Sequence, residues 1–388
     1  MVLCTDQLDA VVIGGGPAGS SAARSLARHG WRTVLIERGP RHRHKACGTC
    51  LNARAVGLLR RAGLLDDVRN VAVGVTRRLR VHLVGRPPLT AVLPRHAEAG
   101  EGLLVPRGSL DQVLIDRAAE AGVQVVQPAA ARIVELTRCG AVIELRNGSS
   151  TTCLRPRLVV GADGLRSAVA EAAGLGRPGR AGCKFGFALQ VTSPAAQAVD
   201  PDTIEMFLVS GGYLGVVGHG GKTLHVAGLV APRGNAPGNP LDFVEWVANR
   251  FDLMKRAGLH RVRHGACSRL LGAGPIPCRP RRVADERVVL VGDAAGYTEP
   301  FSGEGIGWAL ECGEILADSV ADQSPGHWTT CTARRYRRRW ARRVGRRQHL
   351  GRLLAGALER PRFTGALLAA ISGHPAFTAW LLRRAVMP

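Results

Sequence analysis

The run Gly14-Gly15-Gly16-Pro17-Ala18-Gly19 follows the apolar stretch Ala10-Val11-Val12-Ile13. Glycines placed this way after a buried strand form a phosphate cradle. Gly14 permits the tight turn, Gly16 lets the backbone approach a pyrophosphate, and Gly19 lets the next helix lie close on the sheet. Ala18 is small enough to share that approach. An acid, Glu37, ends the next apolar run, Thr33-Val34-Leu35-Ile36. A carboxylate about 20 residues beyond such a cradle accepts hydrogen bonds from ribose hydroxyls, and it would repel a 2′-phosphate. The chemistry is that of a dinucleotide without that phosphate. Arg38, next to the acid, is assigned to the same ligand.

A second glycine motif lies far downstream. Val288-Val289-Leu290-Val291 is apolar and β-branched and ends in Gly292-Asp293. An aspartate there can accept hydrogen bonds from the hydroxyls of a ribityl chain. Pro300-Phe301-Ser302-Gly303-Glu304-Gly305-Ile306 then opens a helix. Its N-terminus, a positive dipole end, would favour negative charge on a reduced flavin ring. The two motifs together specify FAD, held along its length by one chain.

A third group could do redox or acid–base work: His42, His44, Lys45, Cys47 and Cys50 fall within nine residues. Cys47 is the candidate catalytic residue, a thiol whose cationic surroundings favour the reactive thiolate. The same residues allow other readings. Cys47 can be a small residue packing the loop, Cys47-x-x-Cys50 can be a dithiol, and the four His and Cys side chains can form a compact zinc set.

The elements that must position these groups follow from the pattern. Asp9 to Ile13 and Thr33 to Ile36 are expected as buried strands, with a helix from about Pro17 to His29 between them, stopped at Gly30. Gly108 to Gly122 has Leu110, Val113, Leu114 and Ala118 at helical spacing. Val123 to Leu145 alternates as strands do. Arg77 to Val84 and Leu89 to Leu93 form a strand pair. The expected architecture is α/β: a Rossmann-type FAD-binding domain with a parallel sheet, interrupted by a β-rich substrate domain, and a helical C-terminus. The divisions are 1–75, 101–180 and 281–325 for the FAD domain, 76–100 and 181–280 for the substrate domain, and 326–388 for the helical region.

Four segments in order resemble the p-hydroxybenzoate hydroxylase superfamily of flavoproteins. They are the first glycine motif, Val105-Pro106-Arg107-Gly108-Ser109-Leu110-Asp111, Val159-Val160-Gly161-Ala162-Asp163-Gly164-Leu165-Arg166-Ser167, and Gly292-Asp293. Within it, Lys45-Ala46-Cys47-Gly48 is similar to the geranylgeranyl reductase family. The resemblance implies that Arg107 lies near the flavin, that Asp163 and Gly164 support the pyrophosphate side, and that Asp293 binds the ribityl chain. It also implies that the loop with Cys47 and Gly48 lies over the flavin. Where that family often has Tyr-x-Trp-x-Phe-Pro along its lipid channel, this chain has Tyr213-Leu214-Gly215-Val216-Val217-Gly218 and keeps only the tyrosine. The Trp-x-Trp-x-Ile-Pro stretch usual in flavin-dependent halogenases is absent, which disfavours halogenation.

Composition bounds the rest. The 388 residues carry a formal net charge of +23, from 49 Arg and 4 Lys against 30 acids. The arginine skew fits a GC-rich genome, and few aromatics interleave with it, so nucleic acid is not an expected partner. A positive field can still draw in NADPH, anionic lipid or a membrane surface. Tyr336, Trp340 and Val344 share one face of an arginine-rich helix, a stripe that can dock on the protein or lie on a membrane. Phe363 to Leu382 lacks Lys, Arg, Asp and Glu, but Gly373-His374-Pro375 breaks it, so two short helices are expected rather than a span. No signal peptide is evident, because Asp6 and Asp9 precede a strand. Ten cysteines in such a chain point to free thiols and a cytoplasmic protein, with peripheral contact at the inner membrane face as an added expectation.

The expected function is an FAD-dependent oxidoreductase. The first reading is reduction of carbon–carbon double bonds in a hydrophobic prenyl or polyketide-type lipid by hydride from reduced flavin. The alternative is hydroxylation of an aromatic, quinone-like or lipid substrate through a flavin hydroperoxide. Only one dinucleotide fingerprint is present, so NAD(P)H or a reduced electron carrier is expected as a transient donor.

Overall fold

A computed structural model describes residues 8–137, 140–176, 184–231, 236–263, 266–276, 279–298 and 303–358. Pro300 and the apolar stretch from 363 to 382 lie outside the described residues. Elements are numbered along the chain. A β-α-β unit opens it: β1 (Ala10–Ile13), α1 (Pro17–Arg28) and β2 (Thr33–Ile36). Both strands are fully buried, as apolar β-branched runs in a parallel sheet must be. Residues 37 to 49 lead to β3 (Cys50–Leu51), α2 (Ala53–Arg61), α3 (Leu65–Asn70) and β4 (Gly74–Thr76). The hairpin β5 (Arg78–Leu83) and β6 (Leu89–Val92) then departs. β7 (Gly102–Leu104), α4 (Arg107–Glu120) and β8 (Gln124–Val126) return.

β9 (Ala130–Leu136), β10 (Ala141–Asn147) and β11 (Ser150–Leu154) form an antiparallel meander of their own. It is followed by β12 (Leu158–Gly161) and α5 (Ala168–Ala172). The stretch expected to be β-rich contributes β13 (Lys184–Thr192), β14 (Thr203–Val209), β15 (Gly212–His219), β16 (Thr223–Val230) and β17 (Ala266–Ile276). It also holds two helices that strand alternation did not suggest, α6 (Pro240–Ala248) and α7 (Asp252–Arg256). β18 (Val288–Leu290), α8 (Gly305–Val320), α9 (Thr330–Trp340), a π-helical turn over Ala341–Gly345 and α10 (Arg346–Leu358) complete the described chain.

Two sheets organise the molecule. The first is parallel, in the order β18-β12-β1-β2-β8. The second has seven strands, β17-β13-β16-β15-β14-β5-β6, with β5 parallel to β14. One face of it forms a core with α6 and α7, built on Phe187, Phe207, Leu214, Leu224, Val226 and Phe243. The opposite face presents Met206, Tyr213, Leu229 and Ile276 together with Leu165 and Tyr297 from the other half. That face therefore looks towards the parallel-sheet side.

The C-terminal stripe is docked. Tyr336 is fully buried, and its hydroxyl donates to the Leu290 carbonyl at 2.8 Å. Val344 is buried and Trp340 packs on the same core as β1 and β18. The apolar face of this helix is thus covered by protein, while Arg334, Arg338 and Arg342 stand exposed on the other side. Among the described residues no helix is long and apolar enough to cross a membrane.

Candidate active site

The first cradle is built by steric need. Gly14 has φ +110°, and a Cβ there would meet the Ala162 carbonyl and the Asp163 nitrogen. A Cβ on Gly19 would collide with the Gly14 main-chain oxygen, so only glycine lets α1 start this close to β1. Gly292, with φ +60°, would place a Cβ 2.6 Å from the Ala18 side chain. The two distant glycine motifs are therefore in contact, with Ala18 as the meeting point. Gly16 differs: around it there is room, bounded by Arg107 Nη2 and Lys45 Nζ, each 3.8 Å from its Cβ position.

These two cations belong to a buried polar cluster. Arg107 donates to both oxygens of Asp111, at 2.9 and 3.0 Å. Lys45 Nζ lies 2.9 Å from Asp111 and 3.8 Å from Glu37. Burial works against charge on Asp111, but Arg107 and Lys45 hold its carboxyl below the usual carboxylate range. Burial likewise opposes charge on Arg107, and Asp111, Cys47 and Asp293 together outweigh it, so the guanidinium stays protonated. Burial pushes the Asp293 carboxyl up to about 6, with Arg107 and Lys45 pulling the other way. Glu37 accepts from the Gly15 and Gly39 nitrogens, both at 2.7 Å. A narrow cleft runs along this cluster, lined by Gly15, Glu37, Lys45, Gly108, Asp111 and Gln127 among others.

The arrangement fits FAD. A pyrophosphate beside Gly16 would meet the α1 N-terminus and two cations, the combination that anions need. Glu37 lies against Gly15 and would meet a ribose there, while Asp293 is buried within the electrostatic reach of Arg107 and Lys45. Gly303 has φ +64°, and Gly305 begins α8, with Ile306 buried one residue later. Arg38 is exposed and does not line the cleft, where Arg43 stands instead, 3.9 Å from Glu37. The carboxylate of Asp163 is engaged elsewhere: it accepts from the Ser167 hydroxyl at 2.6 Å and the Val169 nitrogen at 3.1 Å, at the start of α5. Any support Asp163 lends to the cradle comes from its main chain, and Gly164 turns the chain away at φ +88°.

The thiol loop crosses from one half to the other. Its His42 carbonyl lies 2.6 Å from where a Gly108 Cβ would be, which pins the loop on the start of α4. Cys47 is half-buried against a core that includes Leu51, Val105, Ile306 and Leu310. The Cβ position of Gly48 is 3.8 Å from Ala227 on β16. Cys47 thus sits between the start of α8, the Arg107 guanidinium and the seven-stranded sheet.

Two expectations for this loop are corrected. Lys45, read as a cation for the thiol, is drawn instead to Asp111 and Glu37. Cys50 donates to the Gly48 carbonyl at 3.1 Å, and burial, with Cys47 beside it, pushes its thiol up to about 12. A thiol held protonated to that point is a poor partner for disulfide exchange, and Cys47 and Cys50 are both free. Cys50 fastens the loop.

Sequence reasoning missed part of the site. Asp111 closes the segment Val105 to Asp111 with no role expected of it, yet Arg107 and Asp111 stand four apart on one helix, a spacing that signals an ion pair. Glu304 is 2% exposed and holds Asn52, Arg54 and Arg347 at 3.0, 3.3 and 3.4 Å. Arg54 also pairs with Glu311. No local signal marks this network, because its members come from α2, α8 and α10.

Residues 7–327 match the family model described as FAD binding domain. A digeranylgeranylglycerophospholipid reductase 2 from Methanothermobacter thermautotrophicus is 31% identical over 349 residues, spanning 87% of this chain and 84% of the relative. A menaquinone reductase from Mycolicibacterium smegmatis is 29% identical over 379 residues, spanning 92% and 85%. Among solved structures, a geranylgeranyl bacteriochlorophyll reductase-like protein from Thermoplasma acidophilum aligns with a TM-score of 0.74 at 24% identity, covering 90% of this chain and 87% of that one. The last likeness bears on the fold.

Proposed function

The chain belongs to the FAD binding domain family and is an FAD-dependent oxidoreductase, and from that premise we propose that it reduces carbon–carbon double bonds of a prenyl or polyketide-type lipid. The observation that carries this reading is the position of the Cys47 loop, between the start of α8 and a sheet face lined by Ala227, Leu229 and Met206. An apolar chain laid on that face passes beside the thiol. The names of the two relatives, reductases of a prenylated phospholipid and of a prenylated quinone, support the same class of substrate.

FAD, when bound and reduced, supplies a hydride to one carbon of the alkene. The protein's share is placement and protons. Gly14, Gly16, Ala18 and Gly19 would hold the pyrophosphate with Arg107, and Glu37 would hold the ribose, with Arg43 rather than Arg38 beside it. Asp163, Gly164 and Gly292 shape the cradle, and Asp293 takes the ribityl chain. Gly48, Gly303, Gly305 and Ile306 would bound the ring. Cys47 Sγ, or a water that it orients, gives the proton to the second carbon, so that two hydrogens are added and the thiol is reprotonated from solvent. NAD(P)H or a reduced carrier protein returns the electrons. The same reading takes 1–75, 101–180 and 281–325 as the FAD domain and 76–100 with 181–280 as the substrate domain. A peripheral contact with an anionic membrane, through the exposed arginines of α9, would bring the lipid within reach.

Lipid extracts from a host with and without the protein decide between this and hydroxylation. Products heavier by two hydrogens are expected. Products heavier by one oxygen would replace the reading with a monooxygenase.

A further inference from the structure

The seven-stranded sheet carries on its face towards the first half a polar group, His225, that the proposed chemistry does not use. Along β16, side chains alternate. Leu224 and Val226 enter the core under α6, whereas Leu229 belongs to the opposite face. His225 and Ala227 share that opposite face, and Ala227 is the residue that Gly48 of the thiol loop approaches. His225 therefore stands one side-chain position along from the loop. Its neighbours across the sheet are Gln190 on β13 and Val217 on β15. The ring stacks on His219 of β15, with centroids 4.9 Å apart and planes 20° apart. His225 Nε2 is buried and, among the described residues, meets no hydrogen-bond partner.

A ring nitrogen shut away from water without a partner is costly, and native interiors seldom keep one. The stack on His219 fixes the ring plane, so this nitrogen has a set direction. Burial, with His219 and then His44 adding to it, lowers the His225 imidazole to about 4. A neutral imidazole offers one N–H donor and one acceptor. It matches a carbonyl or hydroxyl oxygen and gains no charge pairing with a phosphate.

We infer that His225 binds the oxygen-bearing head of the lipid, oriented by His219, and that this head is an uncharged carbonyl or hydroxyl such as a quinone ring carries. The inference rests on the lipid-reductase reading and narrows it. With the head held at His225, the prenyl chain extends over Ala227 and past Gly48, which brings a double bond near the ring-side end of the thiol loop. His225 is a binding residue and His219 a positioning residue.

The test uses the FAD-loaded protein and two probes, a polyprenyl naphthoquinone and a polyprenyl hydrocarbon of equal length with no oxygen. Binding is followed by the change in flavin absorbance on titration in detergent. In the wild type the quinone is expected to bind more tightly than the hydrocarbon. His225→Leu should weaken quinone binding about tenfold, as loss of a buried hydrogen bond does, and leave hydrocarbon binding within about twofold. His225→Gln, which keeps a donor and an acceptor, should recover much of the quinone binding. Equal losses for the two probes, or no preference for the quinone in the wild type, overturn the assignment of His225 alone. A flavin-loaded wild type that binds neither probe overturns the lipid reading and this assignment together.

Discussion

At the scale of single residues, the site is a set of charges whose environments were not written in their types. Cys47 packs on the core that includes Ile306 and lies within the electrostatic reach of Arg107, a position that serves either proton delivery or packing. Cys47→Ala should keep FAD and slow turnover at least tenfold, or about 1.4 kcal/mol of barrier. Unchanged turnover in a single-substrate assay would leave Cys47 as packing. Asp293 illustrates the cost of preparing a site. Its carboxyl is raised from 3.8 to about 6 by burial, so the folded state holds the proton more tightly than the unfolded chain does. That contribution favours folding below about pH 4 and is lost as pH rises through about 6. Asp293→Asn should therefore stabilise cofactor-free protein at about pH 7.5 by on the order of 2 kcal/mol, with little gain near pH 4, while weakening FAD retention. Denaturant titrations at the two pH values check the sign; an equal gain at both would contradict it. Glu37 was legible from its place after β2, because the acid and the cradle belong to one short unit. Lys45 was legible as a cation, but its partners Asp111 and Glu37 come from two other elements.

At the scale of elements, small residues decide how closely helices approach. α1 packs on the parallel sheet through Gly19 and on α8 through Ser21, whose hydroxyl donates to the Leu310 carbonyl at 3.2 Å, with Gly313 opposite. Gly19→Ala puts a methyl group into the Gly14 carbonyl. Overpacking of this kind costs about 1–3 kcal/mol, and for a chain of this size that corresponds to a fall of roughly 1–4 °C in melting temperature. Thermal unfolding followed by flavin absorbance should show earlier loss of the cofactor. A variant as stable and as yellow as the wild type would mean that α1 can move away freely. The β-α-β unit, α4 and the start of α8 were all legible, since apolar periodicity, glycine stops and buried β-branched runs are local signals. α6 and α7 were not, because they lie inside a stretch whose strand alternation dominates on either side.

At the scale of the whole molecule, charge and cover are distributed unevenly. A formal net charge of +23 surrounds a site built for an anionic cofactor. Arg343 is tied to Glu311, Glu314 and Asp318 at 2.8, 2.8 and 2.9 Å, whereas Arg334, Arg338 and Arg342, four residues apart on the same helical run, face outward. The docked Tyr336 and Val344 leave this row of cations as the surface that a membrane would meet. Co-sedimentation with anionic vesicles at low salt should fall when these three arginines become glutamine, by up to about 1 kcal/mol each, and release should follow added salt. The same substitutions at Arg28, Arg86 and Arg155 serve as the comparison; an equal effect there would reduce the contact to net charge.

The sequence by itself determined the glycine turn after β1, the acid after β2, the parallel sheet around them and the order in which the chain enters and leaves the second sheet. Each of these depends on residues close together in the chain: glycines where a Cβ cannot fit, β-branched runs where both faces are buried, apolar spacing where a helix has one covered side. Only the tertiary structure decided that Ala18 meets Gly292, that Lys45 serves Asp111 and Glu37, that Cys50 fastens the thiol loop, and that His225 Nε2 is buried with no hydrogen-bond partner among the described residues. Those facts depend on distances between elements far apart in sequence, and on how much water each group loses when the two sheets come together.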